Sequence, residues 1–475
     1  MGCCGANLEE MGEPDAFYPI RAECRDDVPN TRFKPRHGKT LSARRWHASF
    51  SEDGNLDIAK VLRRIQRGGV HPTIKGVVWE FLLGCYDPKS SFDDRSTLRQ
   101  NRRGQCIPAT AGSYFYITCA DCSPGRSEYE KLKSKCKEME KAVGSGVVIT
   151  APLITEDGQP IAYPASNGAA FQENIPSDTI DSSNLEREAN NEPLDKEVIQ
   201  WKLTLHQIGL DVVRTDRALV YYENQQNQAR LWDILAVYSW MDKDIGYCQG
   251  MSDLCSPISI LLENEADAFW CFERLMRRLR GNFKATSTTI GVRSQLSLLS
   301  SIVKAVDPKL HEHIENLDGG EYLFAFRMLM VLFRREFSFV DSLYLWELLW
   351  SMEYNPNLFS TYETESDAAA NNKSQEAMGD PTLLTQYGKF ERKNIKAGQK
   401  DHQATLSIFL VASVLEAKNK RLLKEAKGLD DVVQILNDIT GNLDAKKACD
   451  EALKIHQKYL NKVTPPTIHQ LSHNE

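Results

Sequence analysis

Hydrophobic residues recur at helical spacing along this chain, in blocks separated by polar stretches. In the first block Ile58, Val61, Leu62 and Ile65 fall at i, i+3, i+4 and i+7, and Gly68-Gly69 stops the run. A second helix follows, with Ile74, Val77, Val78, Phe81 and Leu82 on one face, Pro72 at its entry and Gly84 at its end. The pattern lapses over 88–127, which is mixed and turn-rich, while Tyr129–Ala142 is strongly charged yet favours a helix. Helical patterning returns at Leu194 and persists to Trp350. There Leu231, Ile234, Leu235 and Tyr238 share a face, Ala266–Leu279 and Leu323–Phe333 read as long apolar helices, and Ser342–Trp350 as another. Ala404–Leu423, Leu429–Leu436 and Ala445–Leu460 complete the series. Strand-type alternation is nearly absent, so the expected fold is all-α.

Two polar blocks break this body. Residues near 143–193 are rich in Gly, Ser, Pro, Asn and acids, and residues near 355–400 in Asn, Asp, Ser and Ala. Stretches of such length without periodicity exceed what a compact core usually contains, so both read as long disordered insertions rather than a second domain. Residues 1–55 read as a flexible, disordered N-terminal tail, 56–463 as the helical domain, and 464–475 as a C-terminal tail.

Composition narrows the picture. Of 475 residues, 41% are hydrophobic and 26% charged, enough apolar material for a large core. A net charge of −7 argues against a nucleic-acid binder, because non-specific affinity for phosphate backbones rests on basic surface. Twelve cysteines without framework spacing suit a reduced, cytoplasmic setting. Cys119-Ala-Asp-Cys122 is the single CxxC; with Cys106 and Cys136 it could supply zinc ligands, but no second CxxC or paired His joins them. The thiols therefore read as free, and no metal site is expected. No run of 18 apolar residues exists, so no segment is expected to span a bilayer.

The N-terminus offers another route to a membrane. After loss of Met1, Gly2 is a candidate for myristoylation, with Cys3 and Cys4 as candidate palmitoylation sites. The usual acceptor pattern has Ser or Thr where this chain has Ala6. One acyl chain holds only weakly, so dual acylation would be needed for stable attachment. Residues 28–50 add Arg32, Lys34, Arg36, Lys39, Arg44 and Arg45 with no acid among them, each worth roughly 1 kcal/mol close to an anionic leaflet. A peripheral position on the cytosolic face of endomembranes or plasma membrane is the expectation.

The candidate chemistry lies in two short segments, Ile208-Gly-Leu-Asp211-Val-Val-Arg214-Thr215 and Ile245-Gly-Tyr247-Cys-Gln249-Gly. An arginine offers a fixed positive fork for phosphate oxygens, and a glutamine amide can orient a water. Asp211 and Arg214 are three apart, so on a helix they share a face and can pair. Thr215 can brace that turn. Gln249 follows the loop Lys243-Asp-Ile-Gly, with Tyr247 placed to pack beneath it. Taken in isolation, an Arg beside an Asp on a helix is a surface ion pair worth under about 1 kcal/mol. Trp79 reads as core and Lys75 as a solvated or stem-packed side chain.

With Lys75-Gly-Val-Val-Trp79, Ile208-x-x-Asp211-x-x-Arg214 and Tyr247-x-Gln249 in this order, the chain resembles the TBC-domain family of Rab GTPase-activating proteins. The family prefers Arg where Lys75 stands. Gly250-Met-Ser-Asp253-Leu, Leu332-Phe-Arg-Arg-Glu-Phe337 and Gly428-Leu-Asp-Asp431 extend the likeness over roughly 68–463, less the insertions. The resemblance implies a multi-helix domain of two helical lobes. It also implies a Rab-family small GTPase in the GTP-bound state as partner, in vesicle trafficking. Arg214 would enter the Rab's nucleotide pocket as an arginine finger, and Gln249 would orient the attacking water in place of the Rab's own glutamine. Such a finger contributes on the order of 10³–10⁵ in rate. Mg²⁺ and GTP would arrive on the Rab, so no cofactor of its own is expected; no GxxxxGK[ST] loop is present for binding GTP. The competing expectation is a non-catalytic TBC scaffold that docks a GTPase or adaptor at a membrane.

Overall fold

In the computed structural model the residues described are 16–103, 129–152, 154, 195–284, 291–364, 381–397 and 404–463. Among them there is no strand, only isolated bridges such as Ile20 with Leu219 and Leu41 with Val70. The longer helices are α1 (Ile58–Gly68), α2 (Lys75–Leu82), α3 (Phe92–Arg103), α4 (Tyr129–Met139), α5 (Lys196–Val212), α6 (Gln225–Met241), α7 (Met251–Leu261) and α8 (Glu265–Phe283). They continue with α9 (Gly291–Val306), α10 (Pro308–Asn316), α11 (Phe339–Met352), α12 (Lys389–Lys396), α13 (Leu406–Glu425), α14 (Leu429–Asn437) and α15 (Ala445–Val463). The fold is all-α.

Two helical groups share one continuous apolar core. In the first, α5 packs on α6, α6 on α7, and α7 on α8, with α4 against α6. In the second, α13 packs on α15, while α11 touches both α15 and α1. Helix α9 joins the groups through contacts to α8 and to α13. Starts follow local chemistry: Asp57 caps α1 by accepting from the Lys60 N–H, and Ser338 caps α11 by accepting from Asp341. Gly69, at φ 68°, ends α1 as its sequence announced.

Several expectations need correction. Residues 16–55 are not a free tail: Tyr18, Phe33, Leu41 and Trp46 are buried. This strap lacks periodicity because remote segments hold it. The Arg21 N–H donates to the Ala218 carbonyl (2.8 Å), the Val220 N–H to Pro19 (2.9 Å), and the Arg32 and Phe33 N–H groups to Asp341 (2.9 and 2.7 Å). Within 88–127, Phe92–Arg103 forms α3. Its inward groups include arginines: Arg95 donates to the Gly54 carbonyl (3.0 Å) and Arg102 to that of Cys85 (2.9 Å), so hydropathy could not reveal the face.

Leu323–Phe333 is not one long helix. A 3-10 turn, Leu323–Ala325, leads into Phe326–Met330, and the chain then reverses through Leu332 and Phe333 at φ 47° and 58°. The buried Trp346 indole donates to the Leu332 carbonyl (2.8 Å), pinning this unfavourable backbone from the side. The two polar blocks are not wholly loose. Val143 is buried and the Gly144 N–H donates to Asp233 (2.8 Å); in the second block Phe390 on α12 is buried. Residues 153, 155–193, 365–380, 398–400 and 464–475 lie outside the described residues.

Candidate functional site

Helix α5 carries the first segment. Its inward stripe includes Trp201, Leu205, Ile208 and Val212, all buried, which fixes the rotation of its last turn. Asp211 is buried beside that stripe at 4% exposure, while the Arg214 side chain, one turn on, is 56% exposed. The chain turns immediately after, held by the Thr215 hydroxyl, which donates to the Asp211 carbonyl (2.7 Å) and lies within hydrogen-bond distance of the Ser252 hydroxyl on α7 (2.8 Å).

The second segment enters α7 from the loop after α6. Gly246 and Gly250 adopt φ of 63° and 102°, and a Cβ at Gly250 would sit 2.9 Å from Val331. Any larger residue would be strained twice there, in backbone and in space. Tyr247 is buried, and Gln249, two residues on, is exposed.

The Asp211 carboxylate joins the two segments. One oxygen accepts from Arg214 Nε at 3.0 Å and from its terminal Nη2. The other accepts from the Tyr247 hydroxyl at 2.6 Å. Burial, reinforced by the Asp211 hydrogen bond and charge, pushes the Tyr247 phenol far up, so it remains a donor at any physiological pH. One buried anion thereby orients an exposed guanidinium and anchors the backbone that carries Gln249. Tyr247 reaches Asp211 rather than simply filling space beneath the glutamine, which spacing alone did not disclose.

Lys75 and Trp79 meet elsewhere, and the expectation of a solvated or stem-packed lysine is overturned. Lys75, Val78, Trp79 and Leu82 are the buried i, i+3, i+4, i+7 stripe of α2, while Val77 faces outward at 41% exposure. Lys75 Nζ lies 2.5 Å from Glu347 Oε1 on α11, with both side chains fully buried. That carboxylate also accepts from the Trp79 indole (3.2 Å) and the Val70 N–H (3.0 Å). Burial pulls the Lys75 ammonium down and pushes the Glu347 carboxyl up, against the pull of each partner's charge. No described contact links this pair to Arg214 or Gln249, so it organises the fold and not the site.

Sequence reasoning missed a second layer around the site. The reversing turn at 331–336 backs Gly250, and from it Arg334 pairs with Asp216 and Arg335 with Asp253 (2.8 Å). Asp216, at φ 46°, also accepts from Ser256 (2.6 Å). The Leu332–Phe337 words were visible as part of the likeness, but nothing local paired their arginines with acids more than 80 residues away.

Gly2, Cys3 and Cys4 lie outside the described residues, as do Cys106, Cys119 and Cys122; Cys136 is buried on α4. Among the described residues no helix is long and apolar enough to cross a membrane, and no group of three or more His, Cys, Asp or Glu is placed to hold a metal ion.

An all-α domain that holds an exposed arginine on one buried carboxylate, with an exposed glutamine two residues beyond that carboxylate's tyrosine donor, is the architecture at hand. Comparison with known proteins shows what it is similar to. The family model for the Rab-GTPase-TBC domain matches residues 170–362, which contain Ile208–Arg214, Tyr247–Gln249 and the 331–336 turn but not Lys75 or Trp79. Rab GTPase-activating protein 22 of Arabidopsis thaliana is 26% identical over 87% of this chain and 79% of its own length. TBC1 domain family member 17 of Homo sapiens is 44% identical over 32% of this chain and 23% of its own length. The Ypt/Rab-GAP domain of Gyp1p aligns with a TM-score of 0.48 and 16% identity, covering 88% of this chain and 98% of that one. Residues 170–362 thus match the Rab-GTPase-TBC domain, and the chain as a whole is similar to Rab GTPase-activating proteins.

Proposed function

We propose that this protein accelerates GTP hydrolysis by a Rab small GTPase in membrane trafficking, lending Arg214 and Gln249 to the partner's active site. The observation that carries this reading is the shared Asp211 carboxylate, bonded to Arg214 on one oxygen and to Tyr247 on the other. An exposed arginine normally samples many rotamers; the Asp211 pair narrows them before the partner arrives, which lowers the entropic cost of docking. In the complex the guanidinium would neutralise charge developing on the β–γ bridging oxygen and the γ-phosphoryl oxygens. The carboxamide would hold the attacking water in line. No general base on this chain is required, since positioning and electrostatics supply the catalysis. Mg²⁺ and GTP belong to the partner in this reading.

Single-turnover hydrolysis by a panel of GTP-loaded Rabs tests it. Arg214→Ala and Gln249→Ala should each slow the stimulated rate by at least ~10²-fold while leaving Rab binding measurable. Variants as active as wild type would refute the two-finger mechanism. A wild-type protein that binds Rab–GTP without accelerating any of the panel would instead be a scaffold.

A further inference from the structure

A cleft of about 670 Å³ opens between the strap at 32–36, the last turn of α1 and the first turns of α15, with Asp341 and Tyr344 of α11 beneath it. Seven of its lining side chains are cationic and four are carboxylates, in a chain whose total charge is −7. The carboxylates are already engaged. Asp341 accepts the two strap N–H groups, Asp444 caps α15 at the Lys447 N–H (2.8 Å), Asp450 pairs with Lys446 (3.2 Å) and Glu451 with Lys454 (2.7 Å). Arg36, Arg67 and Lys447 are exposed, and among the described residues none has a carboxylate partner. They come from three separate segments, so their convergence on one concavity is a product of the fold and not of a basic run. Like charges gathered this way repel, and an anion in the cleft would relieve the repulsion.

The size and donors suggest which anion. The volume lies within the roughly 300–1,000 Å³ of ordinary ligand sites, and two guanidinium forks with an ammonium suit a headgroup bearing more than one phosphate. The route of the chain favours a membrane-bound source. The Phe17 ring sits 5.7 Å from the His71 ring, and His71 is four residues beyond Arg67, a reach of at most ~14 Å. The fifteen residues before the strap carry Gly2, Cys3 and Cys4 and could extend ~50 Å. A lipid anchor there would keep this cleft within reach of a leaflet. We propose that the cleft binds the phosphorylated headgroup of an anionic membrane lipid, with Arg36, Arg67 and Lys447 as the phosphate-contacting groups. This inference does not depend on the Rab reading.

Vesicle co-sedimentation tests it, using the full chain from a host that does not acylate it. Phosphatidylcholine vesicles carrying phosphatidylinositol bisphosphate are compared with phosphatidylserine vesicles of matched surface charge. The expected result is at least tenfold tighter binding to the former. The double variant Arg36→Glu/Arg67→Glu, and separately Lys447→Glu, should fall to the phosphatidylserine level with unchanged circular dichroism. Equal binding to both vesicles would mean diffuse electrostatics and overturn the proposal, as would full binding by the charge-reversed variants. Tight binding of soluble inositol trisphosphate with no vesicle binding would assign the cleft to a free solute and overturn the lipid claim.

Discussion

Two ion pairs in this molecule have the same formal chemistry and opposite settings. Lys75–Glu347 is sealed between α2 and α11, with neither side chain exposed. Arg214–Asp211 hides its carboxylate but leaves its guanidinium more than half in solvent. A sealed pair must overcome the desolvation of both charges, so its net contribution is small although the loss of one partner is severe. A half-open pair contributes little to stability, yet its cation remains available to another molecule. Placement, and not residue type, separates a fold-organising pair from a candidate catalytic one.

The largest effect should come from breaking the sealed pair. Lys75→Met leaves Glu347 buried and uncompensated and should destabilise the domain by about 3–5 kcal/mol in chemical denaturation. Adding Glu347→Leu should recover much of that loss. A single variant as stable as wild type would mean that Glu347 is already protonated and the pair is neutral.

Next comes the hydrogen bond that joins the two segments of the site. Tyr247→Phe removes one partner of the buried Asp211 oxygen, costing about 1.5–3 kcal/mol of stability. Stimulated GTP hydrolysis should fall between about 10- and 100-fold at saturating Rab, because the guanidinium and the Gln249 loop lose a shared reference point. If stability drops and the rate does not, the tyrosine is structural only.

The strap supplies a gentler perturbation. Arg21 sits at φ −55° and ψ 139°, which proline tolerates, so Arg21→Pro removes the N–H donated to Ala218 just after the turn that carries Arg214, together with the partly exposed Arg21–Glu223 ion pair (3.4 Å). A loss of about 1 kcal/mol in thermal or urea unfolding is expected. An unchanged midpoint would show that the strap does not brace this turn.

Smallest of all should be the effect of Arg214→Ala on stability, under about 1 kcal/mol, beside its large expected effect on rate. A loss of several kcal/mol would place Arg214 with Lys75 as a structural residue and erase the contrast between the pairs.

Local patterning determined much of this protein. The apolar stripes of α1, α5, α6, α8 and α13–α15 are periodic in the sequence, because a helix buries residues by a rule that acts within one turn. The Asp211–Arg214 pair was legible for the same reason, the two residues lying three apart across the end of α5 and the turn that follows it. Tertiary structure decided whatever required partners distant along the chain. It turned Lys75 inward toward a carboxylate 272 residues away, gave Asp211 a second donor 36 residues on, and drew an irregular basic strap onto the helical body. Hydropathy periodicity carries no record of such partners. A lysine that is buried because one distant glutamate awaits it has the same local sequence as a lysine in water.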